Sequence, residues 1–226
     1  SVRALFIGLC AMGFNLLTRV TTALDLLAAG FFLLTVLWME HIRGRALWQR
    51  LVAYCKVAAP VYLFFVILER LYNFYRFGSL TQTYIPIFAR EQRLQDPSLP
   101  ANFPWSTPFH EGFLGALFKP EKSIFLFDPL LVVALALLFL LWKRLSPEVR
   151  AYAVTSILLL LAYISCYARY TYWTGDFAGG DRYVSTAVEM VAFISVPLLL
   201  RYRANLNAWI WRGSIAVIAI SFVIQI

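Results

Sequence analysis

The run Ala151-Tyr152-Ala153-Val154-Thr155-Ser156-Ile157-Leu158-Leu159-Leu160-Leu161-Ala162-Tyr163-Ile164-Ser165-Cys166-Tyr167-Ala168-Arg169 decides the fold, because it meets no charged residue before Arg169. About 20 mostly apolar residues in a helix cross a hydrocarbon core of roughly 30 Å, and this run is of that order. Working outward from it, similar runs lie at 4–18, 22–40, 52–71, 124–142, 186–200 and 208–226. The first is short and the last is interrupted by Arg212. The expected fold class is therefore all-α: a polytopic transmembrane helix bundle of about seven spans, with short helices in its outward-facing loops.

Composition agrees. Hydrophobic residues make up 61% of the 226, charged residues only 14%, and the mean hydropathy is +0.71. A soluble domain carries roughly a quarter charged and roughly half apolar residues. The net charge of +8 would suit nucleic acid, but the basic residues collect at the ends of apolar runs, where membrane topology places them. No nucleic-acid partner is expected. Cys10, Cys55 and Cys166 fall inside apolar runs without metal-ligand spacing, so they read as small core or lipid-facing residues.

Charge also orients the chain. Arg43, Arg45 and Arg50 lie in one short connection, Lys143, Arg144 and Arg150 in another, and Arg201 and Arg203 in a third. Alternate turns of the chain carry them, so all share one face, and the positive-inside rule makes that face cytoplasmic. The opposite face receives the turn at 18–22, the long segment 73–123 and the run at 173–185. Segment 73–123 is too long for a simple connector and too rich in aromatic residues for disorder. Both ends of the sequence look cut. Ser1 opens directly into an apolar stretch, and residues 213–226 extend only about 21 Å as a helix at about 1.5 Å each. The expectation is that 1–226 is the transmembrane portion of a larger multi-pass protein.

The outward run Trp173-Thr174-Gly175-Asp176-Phe177-Ala178-Gly179-Gly180-Asp181-Arg182-Tyr183 is the first candidate for chemistry. Charged groups at membrane depth are rare and usually line an aqueous site, and glycines admit a ligand close to the backbone. Arg182 suits a phosphate, which a guanidinium meets with two parallel hydrogen bonds; an ion pair with Asp181 or Asp176 is the alternative. Lys119 and Lys122 flank Pro120 at interface height and suit phosphate attraction or simple snorkelling toward headgroups. Arg76 and Arg19 face the same choice, and Arg19 has Asp25 within six residues as a possible partner. Asp176, Asp181, Glu111, Trp173 and Tyr183 are candidates for touching sugar or ordering the loop. Asp128, directly before Pro129, reads as a helix N-cap. His110-Glu111 invites a metal reading, but the spacing of the nearby acids is not that of a metal site, so no metal or other cofactor is expected. No phosphate-cradling loop for a soluble nucleotide sugar is visible.

Three stretches together resemble the later half of polyprenyl-phosphate-dependent glycosyltransferases of the GT-C type, the bacterial enzymes related to protein mannosyltransferases and lipid A aminoarabinose transferases. They are Tyr72-Asn73-Phe74-Tyr75-Arg76-Phe77-Gly78-Ser79 with Thr83-Tyr84; Gly112 to Pro129, with Leu117-Phe118-Lys119-Pro120 and Phe125-Leu126-Phe127-Asp128-Pro129; and Trp173, Gly175, Gly180, Arg182 and Tyr183. A weaker match covers Gly13 to Thr21, with Leu17-Thr18-Arg19. The resemblance implies a sugar donor carried on polyprenyl phosphate, an acceptor glycan, lipid or protein, surrounding membrane lipids, and a bacterial inner membrane with the reaction on the periplasmic face. It also implies a catalytic acid residue in a first outward loop, which nothing in this chain matches, so no residue here is assigned as catalytic. The rival class is a flippase for lipid-linked sugars or a transporter. Transporters concentrate charge near the midplane, often in repeated halves, whereas here Asp25, Glu69 and Glu189 lie near span ends and no repeat is visible.

Overall fold

The structure, a computed structural model, describes residues 2–18, 21–175 and 183–224, with only the backbone for 222–224. Arg19, Asp176, Asp181 and Arg182 lie outside the described residues. All regular elements among the described residues are helical, and the chain divides into two compact units, 1–101 and 102–226.

The first unit holds α1 (Val2–Leu16), α2 (Thr22–Met39), α3 (Gly44–Phe77) and α4 (Tyr84–Gln95). α1 and α3 cross closely at Gly13, where a Cβ would stand 2.0 Å from the Phe65 ring. Leu9, Leu16, Ala58, Val61 and Phe65 form the buried core of this crossing, and Phe14 meets Phe65 edge-on with ring centroids 4.9 Å apart. The turn between α1 and α2 closes on Asn15. Its carbonyl accepts the hydroxyls of Thr18 (2.7 Å) and Thr22 (3.2 Å), and its amide donates to the buried Asp25 at 3.4 Å. α3 ends at Gly78, which takes the left-handed conformation (φ 67°) and donates its N–H to the Phe74 carbonyl. Just inside that end, Glu69 is buried and accepts from Asn73 Nδ2 at 2.6 Å and from Arg70 Nε. Arg70 also donates to the Leu80 carbonyl at 3.1 Å, so one guanidinium joins the helix to the chain that leaves it.

The second unit holds α5 (Phe109–Phe118), α6 (Ile124–Phe127), α7 (Pro129–Leu141), α8 (Pro147–Tyr167), α9 (Ser185–Ala192), α10 (Ser195–Arg201) and α11 (Ala208–Ile224). Its core is the apolar α7, packed against α9, α10 and α11, with Leu131, Ala134 and Leu137 fully buried.

Among the described residues three helices are long and apolar enough to cross a membrane: α2, α3 and α8. Two of the remaining runs give short or broken helices for a local reason. α7 has 13 residues, about 20 Å at about 1.5 Å per residue, because proline disfavours helical backbone in the residue before it. Asp128 accordingly sits at φ −130°, ψ 78° and separates α6 from α7. The run 186–200 divides into α9 and α10 around Phe193 and Ile194. Pro197 has no N–H to offer the Phe193 carbonyl four residues back, and its ring crowds that carbonyl. Segment 73–123 begins with the end of α3 and carries the short helices α4 and α5.

Candidate functional site

In the second unit, segment 103–108 lies along segment 168–172 through a series of hydrogen bonds. The Thr171 N–H and hydroxyl both donate to the Pro104 carbonyl, at 2.7 and 2.9 Å. The Thr107 N–H donates to the Arg169 carbonyl at 3.2 Å, and the Thr107 hydroxyl to the Tyr170 carbonyl at 3.4 Å. Ser106 and Thr171 hydroxyls share a further bond of 2.9 Å. Backbone groups in a connector need partners when they leave water, and here the two connectors supply them for each other. The Phe103–Pro104 peptide is cis.

This pairing assembles rings. Trp105 meets Tyr170 at 5.1 Å between centroids, and Phe103 meets Tyr172 edge-on at 6.2 Å. Tyr183 stacks on Tyr167 at 4.7 Å and meets Tyr170 edge-on at 5.7 Å, while Tyr163 stacks on Tyr167 at 6.5 Å. Offset and edge-on arrangements at these separations are the favoured ones for aromatic pairs. The result is a continuous aromatic cluster at the end of α8, with Phe103 and Tyr163 buried and Trp105, Tyr167, Tyr170, Tyr172 and Tyr183 half-buried.

α5 docks beside it by having no side chain where the two surfaces touch. A Cβ on Gly112 would stand 2.0 Å from the Ala168 carbonyl oxygen, and one on Gly115 would stand 2.3 Å from the Trp173 indole. Trp173 is thereby buried against the helix, and the Lys119 ammonium lies 6.0 Å from its ring centroid. Lys119 also pairs with Glu121 at 3.6 Å, both well exposed. The turn that follows is tight: Lys122 and Ser123 donate their N–H groups to the Lys119 carbonyl, and the Ser123 hydroxyl donates to the Leu117 carbonyl at 2.7 Å. Lys122 is buried, at 8% exposure. That burial separates it from the snorkelling lysine expected at an interface, whose ammonium stays in water.

Of the residues anticipated from sequence, the structure thus gathers Lys119, Trp173 and Tyr183 in one unit, with Lys122 in the adjoining turn. Glu111 is exposed in the first turn of α5. Arg76 belongs to the first unit, at the end of α3, where its guanidinium lies over the rings of Tyr72 and Phe77 at 5.5 and 4.9 Å. Asp128 occupies the N-cap position with Pro129 next to it, but its side chain makes no capping hydrogen bond, and Oδ1 is buried without a partner. Among the described residues no group of three His, Cys, Asp or Glu side chains is placed to hold a metal. Sequence reading passed over Phe103, Tyr163 and Tyr167. The i, i+4 spacing of the two tyrosines is a signal for one shared helix face, but a partner for that face becomes visible only once segment 103–108 lies against the end of α8. Compared with family models, curated proteins and solved structures, the chain matches none.

Proposed function

We propose that the chain, with about seven passes, is the later part of a larger multi-pass glycosyltransferase that takes its sugar from a polyprenyl-phosphate carrier at the outer face of a bacterial inner membrane. The observation that supports this reading is the collection of Lys119, Trp173 and the half-buried tyrosine cluster at the end of α8, with Lys122 in the adjoining turn. An amphiphilic phosphosugar asks for such a combination: cations for the phosphate, flat apolar rings for the sugar face, and glycines where the backbone must come close. The three long apolar helices support a membrane setting.

In the proposed reaction an acceptor hydroxyl oxygen attacks the anomeric carbon, and the bond from that carbon to the phosphate oxygen breaks. The polyprenyl phosphate leaves with the electron pair, and the hydroxyl proton passes to a carboxylate acting as general base. Arg182, Lys119 and Lys122 hold the phosphate and stabilise the negative charge that grows on it as the bond breaks. Arg76 and Arg19 remain further candidates for that charge, and Asp176, Asp181, Glu111 and Tyr183 for the sugar hydroxyls. The resemblance places the base in an outward loop that this chain does not contain.

The test is transfer from radiolabelled polyprenyl-phosphate sugars in membranes carrying the full-length parent of this chain, compared with Lys122→Ala and Arg182→Ala in that parent at matched protein level. Removing a hydrogen bond to a charged group costs about 1.5–3 kcal/mol, so each variant should lose roughly ten- to a hundredfold in transfer. Unchanged rates would return those residues to a structural role. Absence of transfer from any carrier, together with carrier-dependent movement of lipid-linked sugar across the bilayer, would favour the flippase reading.

A further inference from the structure

The opposite end of the second unit gathers a different set of charges. There α7 ends, α8 begins, α10 ends and α11 begins. Segments 142–150 and 201–212 together carry Lys143, Arg144, Arg150, Arg201, Arg203 and Arg212 against the single acid Glu148. Among the described residues none of these six cations makes an ion pair. The two segments are tied together, because the Tyr202 hydroxyl donates to the Arg144 carbonyl at 3.0 Å.

Two of the guanidiniums are held rather than loose. Arg150 lies 6.0 Å from the Trp142 ring centroid and donates to the Lys143 carbonyl at 3.0 Å, while its Nε is buried without an acceptor. Arg203 lies 4.8 Å from the Trp211 ring centroid. An Arg over a tryptophan face is attracted to the ring's electron density, and a group held in place before binding loses less entropy when a ligand arrives. α8 also starts here, with the Ser146 hydroxyl accepting the Val149 N–H at 3.5 Å, and the first turn of a 21-residue helix adds its own positive potential. Snorkelling residues that only mark topology need none of this fixing.

We infer that this end of the second unit is a specific site for an anionic phospholipid, whose phosphate sits among Arg144, Arg150 and Arg203 while its acyl chains lie along the exposed apolar surface of the adjoining helices. Charge decides the choice of occupant: the site presents six cations, and tryptophans 142, 209 and 211 place it at headgroup height. The inference does not depend on the glycosyltransferase reading, since it concerns the opposite face and a lipid that is not consumed.

Native mass spectrometry of the whole chain in detergent, titrated with phosphatidylglycerol and in parallel with phosphatidylcholine, tests it. The expected result is one tightly retained phosphatidylglycerol. The combined variant R144Q/R150Q/R203Q should weaken its retention about a hundredfold, from roughly fivefold for each basic residue at a lipid surface. R43Q/R45Q/R50Q, in the first unit, should leave it unchanged. Tyr202→Phe, which removes one hydroxyl and keeps every charge, should cause a smaller loss and serves if the triple variant does not fold. Equal retention of the two lipids, or indifference of phosphatidylglycerol to both the triple variant and Tyr202→Phe, would overturn the site. Complete displacement of the lipid by millimolar inorganic phosphate would overturn the lipid assignment in favour of free phosphate.

Discussion

Gly112 and Gly115 make opposite demands on an added methyl group. At Gly115 the obstacle is the edge of an indole ring, which has some freedom to move; at Gly112 it is a backbone carbonyl, which has little. Overpacking a tight contact typically costs about 1–3 kcal/mol. Gly115→Ala should fall within that range and Gly112→Ala at or above its top, read as loss of thermal stability in detergent. If Gly112→Ala is as stable as the parent, the close docking of α5 on the end of α8 is wrong. Asp96 provides a prediction in pH. Its carboxylate accepts the Ser98 N–H at 3.0 Å and the Ser98 hydroxyl at 2.6 Å, and these bonds hold its pKa below the ordinary carboxylate value. The folded pKa is depressed, so the stabilisation of this turn is fully present above the unfolded pKa and disappears as pH falls through the folded one. An NMR titration of the Asp96 carboxyl carbon should show a midpoint below about 3.9, and Ser98→Ala should raise it. Two of the residues named from sequence, Lys122 and Trp173, are buried. For Trp173 nothing in the spacing announces this, because its burial depends on Gly115 of α5, almost sixty positions earlier in the chain.

Helix positions were legible wherever an apolar run was long and free of proline. The run read at 22–40 is α2 at Thr22–Met39, and the run at 151–169 is α8 at Pro147–Tyr167. The boundaries of α8 shift because Ser146 and Pro147 start a helix before its apolar part begins. Replacing Ser146 by alanine removes the hydroxyl that receives the Val149 N–H, and loss of such a cap costs about 1 kcal/mol. A drop of that size in unfolding free energy is expected for Ser146→Ala, and Ser146→Asp should restore it. α3 shows the opposite limit. Hydropathy marks only 52–71, yet the helix runs from Gly44 to Phe77, because its flanks of Arg, Gln, Tyr and Leu are compatible with helix without being greasy. The prolines at 129 and 197 lie where apolar runs fail to become single helices, whereas Pro60 lies inside α3 without ending it, so the presence of proline alone does not locate the breaks.

For the whole molecule, composition and three long apolar helices agree on a membrane setting, while the aromatic cluster at 103–108 and 168–172 arises from residues more than sixty positions apart in sequence. Long-range pairing of this kind leaves no local periodicity to read. The proposed topology makes its own prediction. With Cys10, Cys55 and Cys166 replaced by alanine, Ser98→Cys should react with an impermeant maleimide from outside intact cells. Ser146→Cys and Asn205→Cys should react only after permeabilisation, and the reverse pattern would invert the orientation. The tyrosine cluster has a consequence of another kind, an optical one. Rings held at fixed angles and a few ångströms apart couple their electronic transitions, and Tyr170 lies 5.1 Å from an indole that can accept its excitation. The folded protein therefore carries an intrinsic near-ultraviolet signature at the very place proposed to receive a sugar, and occupancy of that place becomes readable from the native chain by circular dichroism or tryptophan emission, without a label.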